Sequence, residues 1–195
     1  MGFRIASIGV GAIGGTLAGF MSKEGEDVLL IDSWREHVDA MNKHGLTLDG
    51  ITGEHNVAVN AIHTDQIPNI EGIFDMVVVA VKSYDTQDAI KRMLPFMNDD
   101  TWVVSPQNSI NEVRIAPIVG ANRTLGCITT ISAGIYNPAH ITRTGSVSQS
   151  LQKEPICFKI GELHGDITPR VEKIVDLFSS AGKTCLLYTS DAADE

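Results

Sequence analysis

The feature that most constrains this chain is a glycine-rich turn between an apolar segment and a helical pattern. Phe3–Ile8 is apolar and of strand length, the turn GVGAIG occupies residues 9–14, and a helical pattern runs from Thr16 to Glu24. A G-x-G-x-x-G turn that ends a strand and opens a helix is typical of dinucleotide-binding βαβ units. Its glycines permit, in order, a tight turn, close approach of a pyrophosphate, and close packing of helix on strand. The candidate cofactor-binding residues of the turn are Gly9, Val10, Gly11, Ala12, Ile13 and Gly14.

An acidic residue follows at the distance that such units require. Asp32 comes directly after a second apolar run, Asp27–Ile31, and lies 18 residues after Gly14. A carboxylate at this place accepts hydrogen bonds from the adenosine ribose. Asp32 therefore favours the dinucleotide interpretation over a glycine turn in some other α/β fold.

The same carboxylate bears on the choice between NAD and NADP. Two unit charges ~4 Å apart at an effective dielectric constant near ~20 interact by roughly 4 kcal/mol, so a carboxylate repels a 2′-phosphate. Asp32 therefore favours NAD. Arg35 is either a cation that turns towards a 2′-phosphate and offsets this repulsion or a solvated residue at the start of the next helix. Both interpretations of Arg35 stay open.

Strand-like and helical segments alternate from residue 3 to residue 105. A helical stretch follows Ser33, Met76–Val81 is a buried strand, Asp85–Leu94 is helical, and Trp102–Ser105 is a further strand. This alternation predicts an α/β fold of Rossmann type, with a doubly wound and mostly parallel sheet. The other expectations are an irregular or hairpin-like Leu46–Val59, strands at Leu125–Ile131 and Ile156–Ile160 with an irregular section between them, and a helix at Ile167–Ala181.

Two polar segments follow predicted strands, at the edge where a doubly wound sheet binds ligands. Lys82 directly follows an apolar strand, so it is either a cation that reaches a cofactor or an ordinary strand-end lysine. Asn108 offers an amide donor and an amide acceptor, which suit a carboxamide or a polar substrate. Asn111 and Glu112 are expected only to start the next helix.

Composition excludes several classes of partner. The chain has 15 Lys and Arg against 24 Asp and Glu, a formal charge of −9, which leaves no basic footprint for nucleic acid or an anionic membrane surface. Its longest apolar run is far too short to cross a bilayer, and its N-terminus has no secretory signal pattern.

Three widely spaced cysteines and six scattered histidines predict neither a disulfide framework nor a metal site. We expect a cytoplasmic protein whose histidines lie mostly on the surface.

Taken together, several segments resemble the N-terminal domain of the ketopantoate reductase (2-dehydropantoate 2-reductase) family. They are GVGAIGG from Gly9, IDSWREHVDAMNKHGL from Ile31, VKSYDT from Val81, QNSINE from Gln107 and TLGCITTISAGIY from Thr124. The resemblance covers residues 3 to 182, and the combination is much more specific than the glycine turn alone.

The resemblance implies reduction of a 2-keto acid, ketopantoate, to pantoate with NADPH on the route to pantothenate. It implies that residues 9–14 hold the pyrophosphate, that Lys82 contacts the cofactor, and that Asn108 lies near both nicotinamide and substrate. Two positions depart from the family pattern. Ser109 stands where the family has glycine, and Asp32 stands near where NADPH users carry a basic residue. NAD and NADP, and ketopantoate and a related 2-keto acid, therefore all stay open.

The resemblance also predicts the domain organisation. Residues 1–182 are expected to form an NAD(P)-binding Rossmann domain, and residues 183–195 to be a non-native tail without strand or helix periodicity. The family's proton-donating lysine belongs to a helical C-terminal domain that we expect to be missing, so no catalytic residue is assigned and the fragment is expected to be inactive. The expected partner is a small-molecule 2-keto acid, and a homodimer is considered for the full-length protein.

Two other functions stay open. A two-domain dehydrogenase of the glycerol-3-phosphate or 6-phosphogluconate type would share the N-terminal fold, although VKSYDT and QNSINE argue against it. A non-catalytic module that binds NAD(H) and reports redox state would need tight cofactor binding and a surface for a partner. All three functions require the chain to bind a dinucleotide.

Overall fold

The computed structural model describes residues 3–51, 53–144, 156–180 and 184–187. In chain order, its strands and helices are β1 (Arg4–Ile8), α1 (Ala12–Lys23), β2 (Asp27–Asp32), α2 (Arg35–His44), β3 (Leu46–Gly50), β4 (His55–Val57), β5 (Asn60–His63), β6 (Met76–Val79), α3 (Thr86–Met93), β7 (Trp102–Ser105), α4 (Glu112–Val119), β8 (Thr124–Thr129), β9 (Ser132–Asn137), β10 (His140–Thr144), β11 (Ile156–Glu162), α5 (Pro169–Ser180) and β12 (Thr184–Leu187). Short 3-10 helices lie at Thr64–Asn69, Ser83–Asp85, Leu94–Phe96 and Ala121–Arg123.

The larger sheet has its described strands in the order β12-β11-β8-β7-β6-β1-β2-β5. From β5 through β2, β1, β6 and β7 to β8, all neighbours pair in parallel. Numbered along the chain, these six strands have the order 3-2-1-4-5-6 of dinucleotide-binding sheets. β11 pairs antiparallel with β8. The predicted Rossmann-type, mostly parallel sheet is confirmed.

Helices cover both faces of this sheet, because its central strands carry apolar side chains on both sides. All four residues of β6 are buried. Ile5 of β1 packs in the same apolar cluster as Leu17 of α1. Its neighbour Ala6 belongs to a second cluster, together with Ile90 of α3. The alternation along β1 thus places successive residues in opposite layers of the core.

A second sheet, in the order β4-β3-β10-β9, lies over α1. β3 and β4 form an antiparallel hairpin, which agrees with the expectation for Leu46–Val59. β9 and β10 form another hairpin, so the expectation of an irregular section between β8 and β11 is wrong for these residues. His140 of β10 pairs with Thr47 of β3, 93 residues earlier. A strand partner so distant in the chain leaves no trace in the local pattern.

Three elements differ from the sequence expectations. α1 begins at Ala12 instead of Thr16, because the glycine turn itself supplies the first helical residues. β5 is not predicted, since it is a four-residue strand that extends the sheet only through its pairing with β2. β12 is a strand that pairs with β11, within a stretch for which the sequence predicts no strand. The rest of the stretch 183–195 lies outside the described residues.

An ion pair between Glu162 and Arg170 connects β11 to α5. The Arg170 Nε lies 2.6 Å from Glu162 Oε1, and a second guanidinium nitrogen contacts the other carboxylate oxygen. Thr168 Oγ1 also donates to Oε1 over 2.6 Å. Glu162 is only 6% exposed. Burial raises the pKa of its carboxyl, but the hydrogen bonds and charge of Arg170 outweigh burial and hold that pKa below its ordinary value.

We expect Arg170→Met to lower the free energy of unfolding by about 3 kcal/mol, because it leaves the Glu162 carboxylate buried without its partner. Denaturation in urea measures the change. Arg92→Met is the matched control, since Arg92 pairs with Asp88 at 2.7 Å on an exposed face of α3. Such exposed pairs contribute about 0.5 kcal/mol or less. Equal effects of the two substitutions would contradict a stabilising role of the buried pair.

Candidate functional site

A crevice of about 760 Å³ runs along the carboxyl ends of the parallel strands, where β1 and β6 lie side by side. The chain order of the strands reverses at this point, and open α/β sheets bind their ligands there. Val10, Gly14 and Arg35 do not line the crevice. The sequence-predicted residues that do line it are Gly9, Gly11, Ala12, Ile13, Asp32, Lys82 and Asn108.

The three motif glycines differ in what surrounds them. Gly9 has a φ of +93°, and a Cβ there would lie 2.6 Å from backbone atoms of Ala80 and Val81, so a side chain does not fit this turn. A Cβ on Gly14 would lie 2.1 Å from the Gly9 carbonyl oxygen, which shows how closely α1 packs on the end of β1. A Cβ on Gly11 would meet nothing within 4 Å. Gly11 is therefore where a ligand can approach the free N–H groups at the start of α1.

Asp32 is held by backbone amides at the end of β2. Its Oδ2 accepts a hydrogen bond from the Val10 N–H over 2.6 Å, and its Oδ1 accepts one from the Trp34 N–H over 2.8 Å. The carboxylate thereby connects the glycine turn to β2. Each oxygen keeps a further lone pair, so Asp32 can still accept a hydrogen bond from a hydroxyl in the crevice that it lines.

Arg35 lies outside the crevice, at the protein surface. Its Nη2 is 2.9 Å from Asp65 Oδ2 and 3.3 Å from His63 Nδ1. The side chain is 60% exposed. The guanidinium is therefore paired with Asp65, on the 3-10 helix that follows β5, and does not point a free charge at the crevice.

Sequence reasoning missed Gln107, whose amide joins the ends of β6 and β7. The side chain is 8% exposed. Its Nε2 donates to the Val81 carbonyl over 2.6 Å and to Thr86 Oγ1 over 2.9 Å, and its Oε1 accepts from Ser105 Oγ over 3.0 Å. These hydrogen bonds connect the segment that follows β6 to the loop that follows β7, and both line the crevice. A polar residue just after the buried β7, next to Asn108, was the signal that could have identified it.

Asn108 and Lys82 reach the crevice from these two neighbouring loops. The Asn108 carbonyl accepts hydrogen bonds from the Asn111 side chain over 2.8 Å and from Ser83 Oγ over 3.3 Å. These bonds hold the backbone of Asn108, while the residue itself is exposed at the crevice. Asn111 directly precedes α4, which agrees with its expected place at the start of that helix.

Ser109 has a backbone conformation that favours glycine. Its φ is +74°, in the left-handed region, where a side chain costs roughly 1–2 kcal/mol. Glycine, the residue that the family resemblance expects here, adopts such a φ without strain. Strain is therefore present beside Asn108, in the loop between β7 and α4.

His37 is buried, so the expectation of surface histidines is wrong for this residue. Its Nδ1 accepts the Ala139 N–H over 2.8 Å, and its Nε2 lies 3.0 Å from the Val10 carbonyl oxygen. Because Nδ1 is the acceptor, Nε2 carries the proton and donates it to Val10. Trp34 stacks on the ring with centroids 5.2 Å apart. Burial lowers the pKa of His37, and neutral His37 links the glycine turn to the β9–β10 turn.

The charged groups at the crevice come from separate elements. Asp32 belongs to β2, Lys82 to the segment after β6, Asp85 to a 3-10 helix, and Asp88 and Arg92 to α3. Over residues 3–51, 53–144, 156–180 and 184–187, no group of three or more His, Cys, Asp or Glu side chains is placed to hold a metal ion. In the same ranges, no helix has both the length and the apolar character that crossing a bilayer requires.

The sequence matches a known family over most of its length. The family model described as Ketopantoate reductase PanE/ApbA matches residues 5–154. The 2-dehydropantoate 2-reductase of Pyrococcus horikoshii is 38% identical over 143 residues, which are 73% of this chain and 44% of that protein. That of Pyrococcus abyssi is 36% identical over 179 residues, 91% of this chain and 54% of that protein. The chain thus spans about half the length of the curated relatives it matches.

Solved structures share the fold at lower sequence identity. The 2-dehydropantoate 2-reductase from Geobacter metallireducens superposes with a TM-score of 0.77 at 24% identity, over 94% of this chain and 57% of that chain. A D-mandelate dehydrogenase, solved with NADH and anilino(oxo)acetate, has a TM-score of 0.79 at 22% identity, over 94% of this chain and 56% of that chain. At these identities the likeness concerns the fold, and it agrees with the Rossmann-type sheet.

We expect Ser109→Gly to raise the free energy of unfolding by up to about 1 kcal/mol. Removal of Cβ relieves the positive φ, and this gain exceeds the cost of the added freedom in the unfolded chain. Ser109→Ala is the matched control, because alanine keeps Cβ and should bring no gain. Urea denaturation of the three proteins measures the difference. An equal gain from alanine would exclude the backbone explanation.

We expect the free energy of unfolding to fall as the pH drops below about 6.5, the ordinary pKa of histidine. Because the pKa of His37 is lowered in the folded protein, the unfolded chain takes up the proton first. The stability from neutral His37 is thus present above pH 6.5 and is lost as the pH falls towards the folded-state pKa.

His37→Gln should therefore make the dependence of unfolding free energy on pH shallower below pH 6.5, as measured by denaturation at a series of pH values. His44→Gln, which removes an exposed histidine of α2, is the control and should keep the slope of the wild type. A His37→Gln variant with the wild-type slope would show that His37 does not contribute.

Proposed function

The chain belongs to the ketopantoate reductase family, and on that premise we propose that residues 1–182 form the dinucleotide-binding domain of an NAD(P)H-dependent 2-keto acid reductase. The substrate is ketopantoate or a related 2-keto acid. The observation that carries this proposal is the open backbone at Gly11. A Cβ there would meet nothing, and the residue lies at the start of α1 inside the crevice. A helix N-terminus in that position suits a pyrophosphate.

The residues around the crevice fit such a cofactor from one end to the other. Residues 9–14 would hold the pyrophosphate, Asp32 would accept from the adenosine ribose, and Lys82 would contact the cofactor from the end of β6. Asn108 follows β7, on the other side of β1 and β6 from Asp32. A bound nicotinamide dinucleotide supplies the hydride that reduces a keto carbon. The Asn108 amide would orient the carboxamide or the substrate beside it.

Reduction of a ketone also requires a proton for the oxygen. We propose that a lysine outside residues 1–182 donates it, as the family resemblance implies, and that residues 1–182 bind cofactor without turnover by themselves. Their contribution is then to bind and orient. The hydrogen bonds of Gln107 and Asn111, which hold the two loops carrying Lys82 and Asn108, support this positioning.

We further propose that the preferred cofactor is NADH. Asp32 places a carboxylate near the site of a 2′-phosphate, and Arg35, the cation that could offset it, is paired with Asp65. The family resemblance favours NADPH, so the two arguments differ. Fluorescence titration with NADH and NADPH separates them: tighter binding of NADPH would overturn the NADH preference and would mean that Arg35 or another cation offsets Asp32. Binding of neither dinucleotide would overturn the proposed function.

Gly11→Ala is expected to weaken dinucleotide binding about tenfold or more while the fold is kept. Its Cβ meets no protein atom within 4 Å, but it would occupy the place of the pyrophosphate. Gly14→Ala is the contrasting variant, since its Cβ would lie 2.1 Å from a backbone oxygen and should cost about 1–3 kcal/mol of stability. Thermal denaturation and cofactor titration of both variants measure these effects. A Gly11→Ala protein that binds like the wild type would contradict the placement of the cofactor.

A further inference from the structure

We propose that a second cavity, next to the crevice, binds the carboxylate of the substrate through Lys159; this inference rests on the proposed function. The cavity measures about 380 Å³ and shares Gln107, Asn108 and Thr129 with the crevice. It lies at β8 and β11, on the far side of β7 from Asp32. A dinucleotide with its adenosine at the end of β2 extends its reacting end towards this side of the sheet.

The shape of the cavity follows from two facing glycines. Gly126 of β8 pairs directly with Gly161 of β11, so this part of the sheet carries no side chains and forms a flat floor. Phe158 and Ile160 are fully buried in the core on the α1 side of the sheet. Because side chains alternate along a strand, Lys159 between them points to the opposite face, into the cavity that it lines.

Lys159 brings an uncommitted positive charge to this cavity. It is the only Lys, Arg or His among the described residues that line the cavity. In the part of the chain that the structure describes, Lys159 has no ion pair. Since no carboxylate of the described ranges forms an ion pair with this ammonium group, an anion that enters the cavity can bind to it.

The two carboxyl groups of the same cavity are both engaged elsewhere. Glu162 is paired with Arg170. Glu112 accepts hydrogen bonds from backbone N–H groups, including that of Cys127. Burial raises the pKa of Glu112 above its ordinary value. Lys159 is therefore the group of the described lining that can attract an anion, although the whole chain is acidic.

A 2-keto acid fits this arrangement because its carboxylate is bonded to the carbon that is reduced. Its carboxylate site must therefore lie immediately beside the group that orients the carbonyl. Asn108 lines both the crevice and the cavity. A substrate whose keto carbonyl binds to the Asn108 side chain therefore lies next to the cavity. A lysine ammonium on a flexible stem suits the carboxylate. Lys82, the other candidate cation, lines the crevice but not the cavity.

The test is the binding of ketopantoate to the chain saturated with the oxidised cofactor, which has no hydride to donate. Calorimetric titration gives the Kd for the wild type, Lys159→Gln and Lys159→Arg. We expect Lys159→Gln to raise the Kd about tenfold or more, because hydrogen bonds to a charged group are strong. Lys159→Arg should recover most of the affinity. Lys43→Gln, which removes an exposed lysine of α2, is the matched control and should bind like the wild type.

Ketopantoyl lactone, which lacks the carboxylate, is the uncharged probe. Lys159→Gln should bind it as the wild type does. Unchanged ketopantoate binding by Lys159→Gln, or an equal loss of affinity for the lactone, would overturn the carboxylate site alone. Failure of the wild type to bind either dinucleotide would overturn the proposed function. Failure of the cofactor-saturated wild type to bind ketopantoate would overturn the carboxylate site and leave dinucleotide binding in place.

Discussion

The close contact of α1 with the ends of β1 and β6 is the constraint on which the rest of the structure depends. Gly9 and Gly14 approach each other and Ala80 so closely that neither position admits a side chain. This contact leaves the N-terminus of α1 open at the point where the strand order reverses. The crevice exists because the helix begins there, and the other candidate residues of the site are arranged around that helix start.

Two side chains also hold the glycine turn, one at the end of β2 and one in α2. Asp32 accepts a hydrogen bond from the Val10 N–H, and His37 donates one to the Val10 carbonyl. Both backbone polar groups of Val10 are therefore hydrogen-bonded. His37 in turn accepts the N–H of Ala139, in the β9–β10 turn. The second sheet therefore takes part in positioning the turn, although it contributes few residues to the crevice itself. This connection depends on a neutral imidazole, because only that form both donates and accepts.

Charge near the site is distributed between ion pairs and groups that form none. The formal charge is −9, yet several acidic groups are paired with arginines, as Asp65 is with Arg35 and Glu162 with Arg170. Within the described ranges, Lys82 and Lys159 form no ion pairs. An acidic protein can therefore still attract an anionic ligand to one crevice, because nearby unpaired charges act more strongly than distant, screened ones.

The sequence by itself determined the order of strands and helices around the glycine turn and seven of the residues that line the crevice, because periodicity and spacing encode them locally. Gly9, Asp32, Lys82 and Asn108 all follow predicted strands, and the parallel sheet brings strand ends together. Only the tertiary structure decided that Arg35 is paired at the surface and that His37 is buried. The partner of His37, Ala139, lies 102 residues away. Contacts between residues so far apart leave no local pattern, so the second sheet and the cavity at Lys159 became visible only once the chain was folded.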